Sequence, residues 1–246
     1  MNNKIHHLQD VNNEMLAYYF NDLKSDTTIF FFGGYSSDMT GTKATALNNW
    51  TESNSINYLR FDYSGHGLLS GDLGKGTLSN WLGEAEFFFE KFKSKKNIII
   101  GSSMGGWIAL LTALKNIDVN GLIGIASAPD FTKNEWDRLS ETEKEEFKSS
   151  GSILFPDDDY GDYKVFYEFV KDGFQHEILN DKIEITCPVR LLHGKLDKVI
   201  AYNVSEKIIE QLSTSDKSLT IIEDGDHNLS RQEDLEILFT KVKELI

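Results

Sequence analysis

Short runs of β-branched and aromatic residues alternate with longer amphipathic stretches along most of this chain. Met15 to Phe20 reads as an early strand, and Thr27 to Phe32 as a buried one that ends in Gly33-Gly34. Lys43 to Ser53 is predicted helical, Tyr58 to Asp62 forms a strand that breaks at Gly65-His66-Gly67, and Leu78 to Phe92 follows as an amphipathic helix. Asn97 to Ile100 predicts a strand, Trp107 to Leu114 a helix, and Gly121 to Ala126 another strand. The rhythm resumes late in the chain with a strand at Val189 to Leu192, a helix at Tyr202 to Leu212, a strand at Leu219 to Glu223 and a helix at Gln232 to Leu245. Such alternation is the signature of a mostly parallel sheet covered by helices on both faces, so the fold class is α/β.

Between Pro129 and Cys187 the alternation stops, and the segment turns rich in charge and in aromatics such as Phe131, Trp136, Phe147, Phe155, Tyr160, Tyr163 and Phe169. Connections this long are uncommon unless they serve a function. Lys164 to Lys171 has helical spacing, and so many aromatic residues need burial, so the reading is a small, largely helical cap inserted at about residues 130–186. The glutamate-rich stretch Glu141 to Lys148 and the run Asp157-Asp158-Asp159 read as solvated faces rather than metal sites. With no linker-like segment and no internal repeat, residues 1–246 are expected to form one domain.

Composition narrows the partners. The 39 acidic against 25 basic residues give a formal charge of −14, which repels phosphate backbones, so nucleic-acid binding is not expected. No apolar run approaches the roughly 20 residues of a membrane helix, and Met1 to His7 carries no apolar signal core; the expectation is no integral membrane association and a cytoplasmic home. Cys187, the single cysteine, cannot form an internal disulfide and reads as a small packed side chain. No set of His, Cys and Asp has metal-ligand spacing, so neither metal nor cofactor is predicted.

The chemistry centres on Gly101-Ser102-Ser103-Met104-Gly105, between a strand and a helix. Glycines two places either side of a serine let strand and helix approach closely and leave the hydroxyl exposed at a sharp turn. Only Ser103 has glycine at both positions; Ser102 does not. A serine hydroxyl is a weak nucleophile and needs an imidazole base, itself oriented by an acid. Where this elbow is used, acid and then base follow the serine on loops at strand ends. His227, just past the last strand, fits the base; His6, His7, His66 and His176 are mispositioned, and His193 at a strand end reads as structural. Asp197 is the favoured acid and Asp130 the alternative, while Asp224 and Asp226 lie too near His227 in sequence. An oxyanion would be held by the Met104 amide and by the Tyr35 amide after Gly33-Gly34.

Four separated blocks, Gly34 to Ala44, Arg60 to Gly65, Gly101 to Trp107 and Arg190 to Gly194, resemble the α/β-hydrolase-fold serine hydrolases of the mitochondrial palmitoyl-protein thioesterase and acyl-glucuronide esterase branch, with its bacterial relatives. The resemblance implies the α/β-hydrolase fold and hydrolysis of a small-molecule or acylated substrate, an ester or acyl thioester, with Ser103, Asp197 and His227 as triad. Gly33 departs from a proline common in that branch, and His66 interrupts the Gly65-Gly67 loop. Carbon–carbon hydrolysis of a diketone uses the same triad, and a non-catalytic binding protein could keep the pocket; both stay as alternatives.

Overall fold

Strand β1 (His6–Gln9) opens the chain, followed by β2 (Met15–Asn21) and β3 (Thr27–Phe32). Helix α1 (Thr42–Ser53) leads to β4 (Asn57–Phe61), α2 (Leu78–Phe92) to β5 (Lys96–Ser102), and α3 (Met104–Lys115) to β6 (Gly121–Ile125). An insertion follows, with α4 (Phe131–Asp137), α5 (Glu141–Ser150), β7 (Ser152–Phe155), β8 (Tyr163–Phe166) and α6 (Tyr167–Gly173). After it come β9 (Val189–Gly194), α7 (Asn203–Gln211), β10 (Lys217–Ile222) and α8 (Gln232–Lys243). The structure, a computed structural model, describes residues 4–10, 14–68, 71–156 and 161–246, so the Asp157 to Asp159 run and Tyr160 lie outside the described residues.

The main-sheet strands pair in the order β1-β2-β4-β3-β5-β6-β9-β10. The β2 strand runs antiparallel to both β1 and β4, whereas every pairing from β4 across to β10 is parallel. A buried parallel sheet needs apolar residues on both of its faces, and β5 supplies them in alternation. Ile98 and Ile100 pack with Leu47 of α1 and with Leu238 and Val242 of α8, while Ile99 packs on the other face with Phe88 and Phe89 of α2 and Trp107 of α3. From β3 the chain moves one way to β4 and later the other way to β5 and β6, so the loops leaving β3 and β5 diverge. The crevice between such loops is where open α/β sheets bind ligands.

The insertion between β6 and β9 carries α4, α5 and α6, in keeping with a helical cap, and adds to them an antiparallel hairpin of β7 and β8. Gly151, left-handed at φ 76°, ends α5, and the next residue starts the hairpin. The helical spacing in Lys164 to Lys171 arises because Val165 from the strand and Phe169 and Val170 from the helix share one buried face. The short polar β1, paired from His6 with Tyr18 to Gln9 with Met15, carries too little apolar patterning to be legible.

The body side chains Trp107 and Tyr35 help moor the cap over the end of the sheet, and Asp130 ties the cap to itself. The Trp107 indole donates to the His176 carbonyl at 3.1 Å. The Tyr35 phenol donates to the Lys164 carbonyl at 2.9 Å, and its ring stacks on Phe169 with centroids 5.2 Å apart. Asp130, at the start of α4, accepts from the amides of Ile178 and Leu179 at 2.9 and 3.0 Å.

Candidate active site

Ser103 sits between β5 and α3 with φ 54° and ψ −119°, in backbone territory that costs a non-glycine residue strain and that persists only where neighbours enforce it. The enforcement is steric. A Cβ on Gly105 would lie 2.1 Å from the Phe32 carbonyl oxygen, and one on Gly101 would lie 2.2 Å from that of Gly105. Strand and helix can therefore approach only with glycine at both places, and the turn thrusts the Ser103 side chain upward while Ser102 stays buried in β5.

The loops after β9 and β10 bring the partners. His227 Nε2 stands 3.1 Å from Ser103 Oγ, and His227 Nδ1 stands 2.7 Å from Asp197 Oδ2. Gly194 makes the approach of the two loops feasible, since a Cβ there would lie 2.4 Å from the carbonyl oxygens of Gly225 and Asp226. The other Asp197 oxygen accepts from the amides of Val199 and Ile200 at 2.9 and 2.8 Å. Burial alone would raise this carboxyl, but hydrogen bonds from His193 and His227 outweigh it and hold the group down at about 2. Its charge is thus secure throughout the neutral range.

The other residues singled out in the sequence have different tasks. Asp130 is occupied by the cap amides, and burial raises its carboxyl. Asp224 pairs with Arg231, and Asp226 accepts from the Leu229 amide. His66 is buried against Trp81, Tyr35 and Tyr63, His176 bonds Ser79, and His6 and His7 lie in β1. His193, read as structural from its strand-end position, is fully buried and reaches Asp197 Oδ2 with Nε2 at 3.1 Å, a contact that four-residue spacing at the end of a strand does not advertise.

Tyr35 and Met104 flank the serine. Met104 is the first residue of α3, so its amide has no partner within the helix. Among the described residues neither the Tyr35 nor the Met104 amide donates to another backbone group. Two unspent donors thus border the cavity that Ser103 opens into. That cavity holds about 520 Å³ under the cap and is walled by Trp107, Phe131, Tyr163, Phe166, Val199 and Ile200. On the far side of Ser103 and His227 a more polar recess of about 360 Å³ is lined by Ser37, Thr42, Lys43 and Ser230. The Lys43 ammonium, pushed by burial to about 8, donates to the Asn228 carbonyl and so braces the loop that carries His227. Among the described residues no group of three or more His, Cys, Asp or Glu side chains could hold a metal ion, and no helix is long and apolar enough to cross a membrane.

A mostly parallel sheet with a serine elbow at its switch point, and with an aspartate and a histidine brought to that serine by the loops after β9 and β10, is the arrangement of an α/β hydrolase, and the chain belongs to that family: the family model described as Serine aminopeptidase, S33, matches residues 24–148 and 161–234. Among individual proteins it is similar to the mitochondrial palmitoyl-protein thioesterase ABHD10 of Mus musculus, 31% identical over 221 residues that make up 89% of this chain and 74% of that protein. The structure of mouse alpha/beta hydrolase domain-containing protein 10 aligns over 98% of both chains with a TM-score of 0.91 and 30% identity. An Agrobacterium vitis S4 protein described as a hydrolase aligns over 99% of this chain and 98% of its own, with a TM-score of 0.92 and 33% identity.

Proposed function

We propose that this protein hydrolyses carboxylic esters or acyl thioesters through an acyl-enzyme on Ser103. The observation that carries the reading is the unbroken hydrogen-bonded line from Ser103 Oγ through both His227 nitrogens to Asp197. His227 takes the hydroxyl proton as Ser103 attacks the acyl carbonyl, and Asp197 fixes the tautomer and offsets the imidazolium charge. The amides of Tyr35 and Met104 receive the oxyanion, each donor contributing about 2.7–4 kcal/mol to the transition state. His227 then returns the proton to the departing alcohol or thiol. A water molecule, activated by the same imidazole, attacks the acyl-enzyme and releases the acid.

The cavity walls favour an apolar acyl chain, and the polar recess suits the leaving group. In this reading residues 1–246 work as one hydrolase domain, with residues 130–186 as its cap. The similarity to a palmitoyl-protein thioesterase supports acyl thioesters as a substrate class. A fluorophosphonate probe tests the mechanism: wild type takes the label and Ser103→Ala does not. Absence of labelling in wild type, or equal labelling of both, removes the acyl-enzyme. A panel of p-nitrophenyl esters and acyl thioesters of graded chain length tests the substrate class, and turnover of a diketone alone would move the activity to carbon–carbon bonds.

A further inference from the structure

Asp197 receives a second imidazole that the triad does not require. Its Oδ2 accepts from His227 Nδ1 at 2.7 Å and from His193 Nε2 at 3.1 Å, while Oδ1 takes the two loop amides of Val199 and Ile200. A carboxylate oxygen offers two lone-pair sites, so all four sites of this buried group are filled. The His193 side chain is itself completely buried at the end of β9 and has no freedom to leave. Both neighbours of its Nε2, the Asp197 carboxylate and the Ile200 carbonyl at 2.9 Å, are acceptors, so this nitrogen carries the hydrogen. In the neutral ring Nδ1 accepts from the Ser205 hydroxyl, 2.7 Å away at the start of α7. Ser205 is 1% exposed and equally fixed.

We infer that His193 is a positioning residue for the reaction: its Nε2–H locks the Asp197 carboxylate in the rotation that aims a lone pair at His227, and Ser205 locks His193. The inference rests on the triad proposed above. With the His193 bond gone, Oδ2 keeps a buried, unfilled lone pair, and the carboxylate, held by His227 and the two loop amides alone, tilts about its Cβ–Cγ bond. The imidazole of His227 then loses its alignment to Ser103, and misplacement of this kind lowers turnover without altering how the acyl chain is held. Burial works against the charge on Asp197, and the bond from His193 stands beside that from His227 in overcoming it.

The test uses three substitutions at one place and p-nitrophenyl butyrate as substrate. His193→Phe keeps the ring and loses the donor; kcat is expected to fall about 10- to 100-fold with KM held within about twofold. His193→Gln, whose amide nitrogen can occupy the Nε2 position, recovers kcat to within about fivefold of wild type. The low-field proton resonance of the His227 Nδ1–H···Asp197 bond shifts in the Phe protein and returns in the Gln protein, a response that mere loss of packing does not give. His193→Asn, which reaches Ser205 but falls short of Asp197, replaces the Phe protein in the comparison if the latter fails to fold. A Phe protein as fast as wild type, or Gln no better than Phe or Asn, overturns the assignment of His193 and leaves the hydrolase reading standing. Wild type that neither turns over the ester nor takes a fluorophosphonate label overturns both.

Discussion

Exchanging Asp197 for Asn keeps the shape of the group and removes its charge. Four donors converge on the carboxylate, whereas an amide offers one acceptor oxygen and sets an NH₂ group against the remaining two. If the NH₂ faces the imidazoles, His227 is forced into the wrong tautomer; if it faces the loop, the amides of Val199 and Ile200 lose their partner. The corresponding exchange in serine proteases lowers turnover about 10⁴-fold, ~5 kcal/mol in the barrier. The folded state loses as well. Holding the carboxyl at about 2 rather than its ordinary 3.8 corresponds to about 2.5 kcal/mol of stability. Because the folded value lies below the unfolded one, that contribution is present above pH 3.8 and disappears as the pH falls toward 2. The assay is kcat/KM on p-nitrophenyl butyrate at about pH 7.5, alongside urea unfolding at about pH 7, with Asp130→Asn as the companion. The Asp197→Asn protein is expected to lose about 10³- to 10⁴-fold in kcat/KM and about 2 kcal/mol of stability. The Asp130→Asn protein, which loosens the cap amides of Ile178 and Leu179, is expected to lose stability with far less effect on chemistry. A loss under about tenfold for Asp197→Asn, or equal losses for the two proteins, refutes the assignment of the acid.

Glu84 on α2 is almost fully buried, accepts from the Ser64 amide at 2.9 Å, and is pushed by burial up to about 7. The folded protein therefore holds this proton more tightly than the unfolded chain, so stability falls as the pH rises from about 4.5 to 7, and Glu84→Gln should be the more stable protein by up to about 3 kcal/mol at about pH 8 with little difference at about pH 4; urea unfolding at the two pH values decides. Gly105→Ala drives a methyl against the Phe32 and Gly33 carbonyls, and about 3 kcal/mol or more should be lost in the same assay. Tyr35→Phe keeps the stack on Phe169 and removes the bond to the Lys164 carbonyl, which should cost about 1 kcal/mol and speed amide exchange in β8 and α6.

The α/β body was legible because its central strands carry apolar residues on both faces and helices such as α2 carry an apolar stripe, patterns that survive in a single sequence. The Leu78 to Phe92 helix has the bounds its spacing predicts, since Thr77 caps it at the Asn80 amide and the burial repeats every turn. The meeting of Ser103, Asp197 and His227 was legible for a different reason: glycines mark the elbow, and chain order limits which aspartate and histidine can reach it. The hairpin within the cap is not legible because each strand is only four residues long, and Val165, the buried side chain of β8, shares its face with Phe169 and Val170 of the next helix. The contact of His193 with Asp197 is not legible because its partners, Asp197, Ile200 and Ser205, are brought to it by a loop and a helix start, and no periodicity encodes such a meeting.

Tyr35 ties the surroundings of Ser103 to the cap. Its amide borders the nucleophile, while its phenol and ring grip the hairpin and α6 of the cap. An acyl chain too bulky for the cavity has to lift the cap, and lifting the cap pulls on the residue whose amide we assign to the oxyanion. The misfit is then felt in the transition state more than in the bound ground state. Discrimination between acyl chains should accordingly register in kcat, with KM comparatively indifferent, so that a poor substrate occupies the enzyme well and reacts slowly.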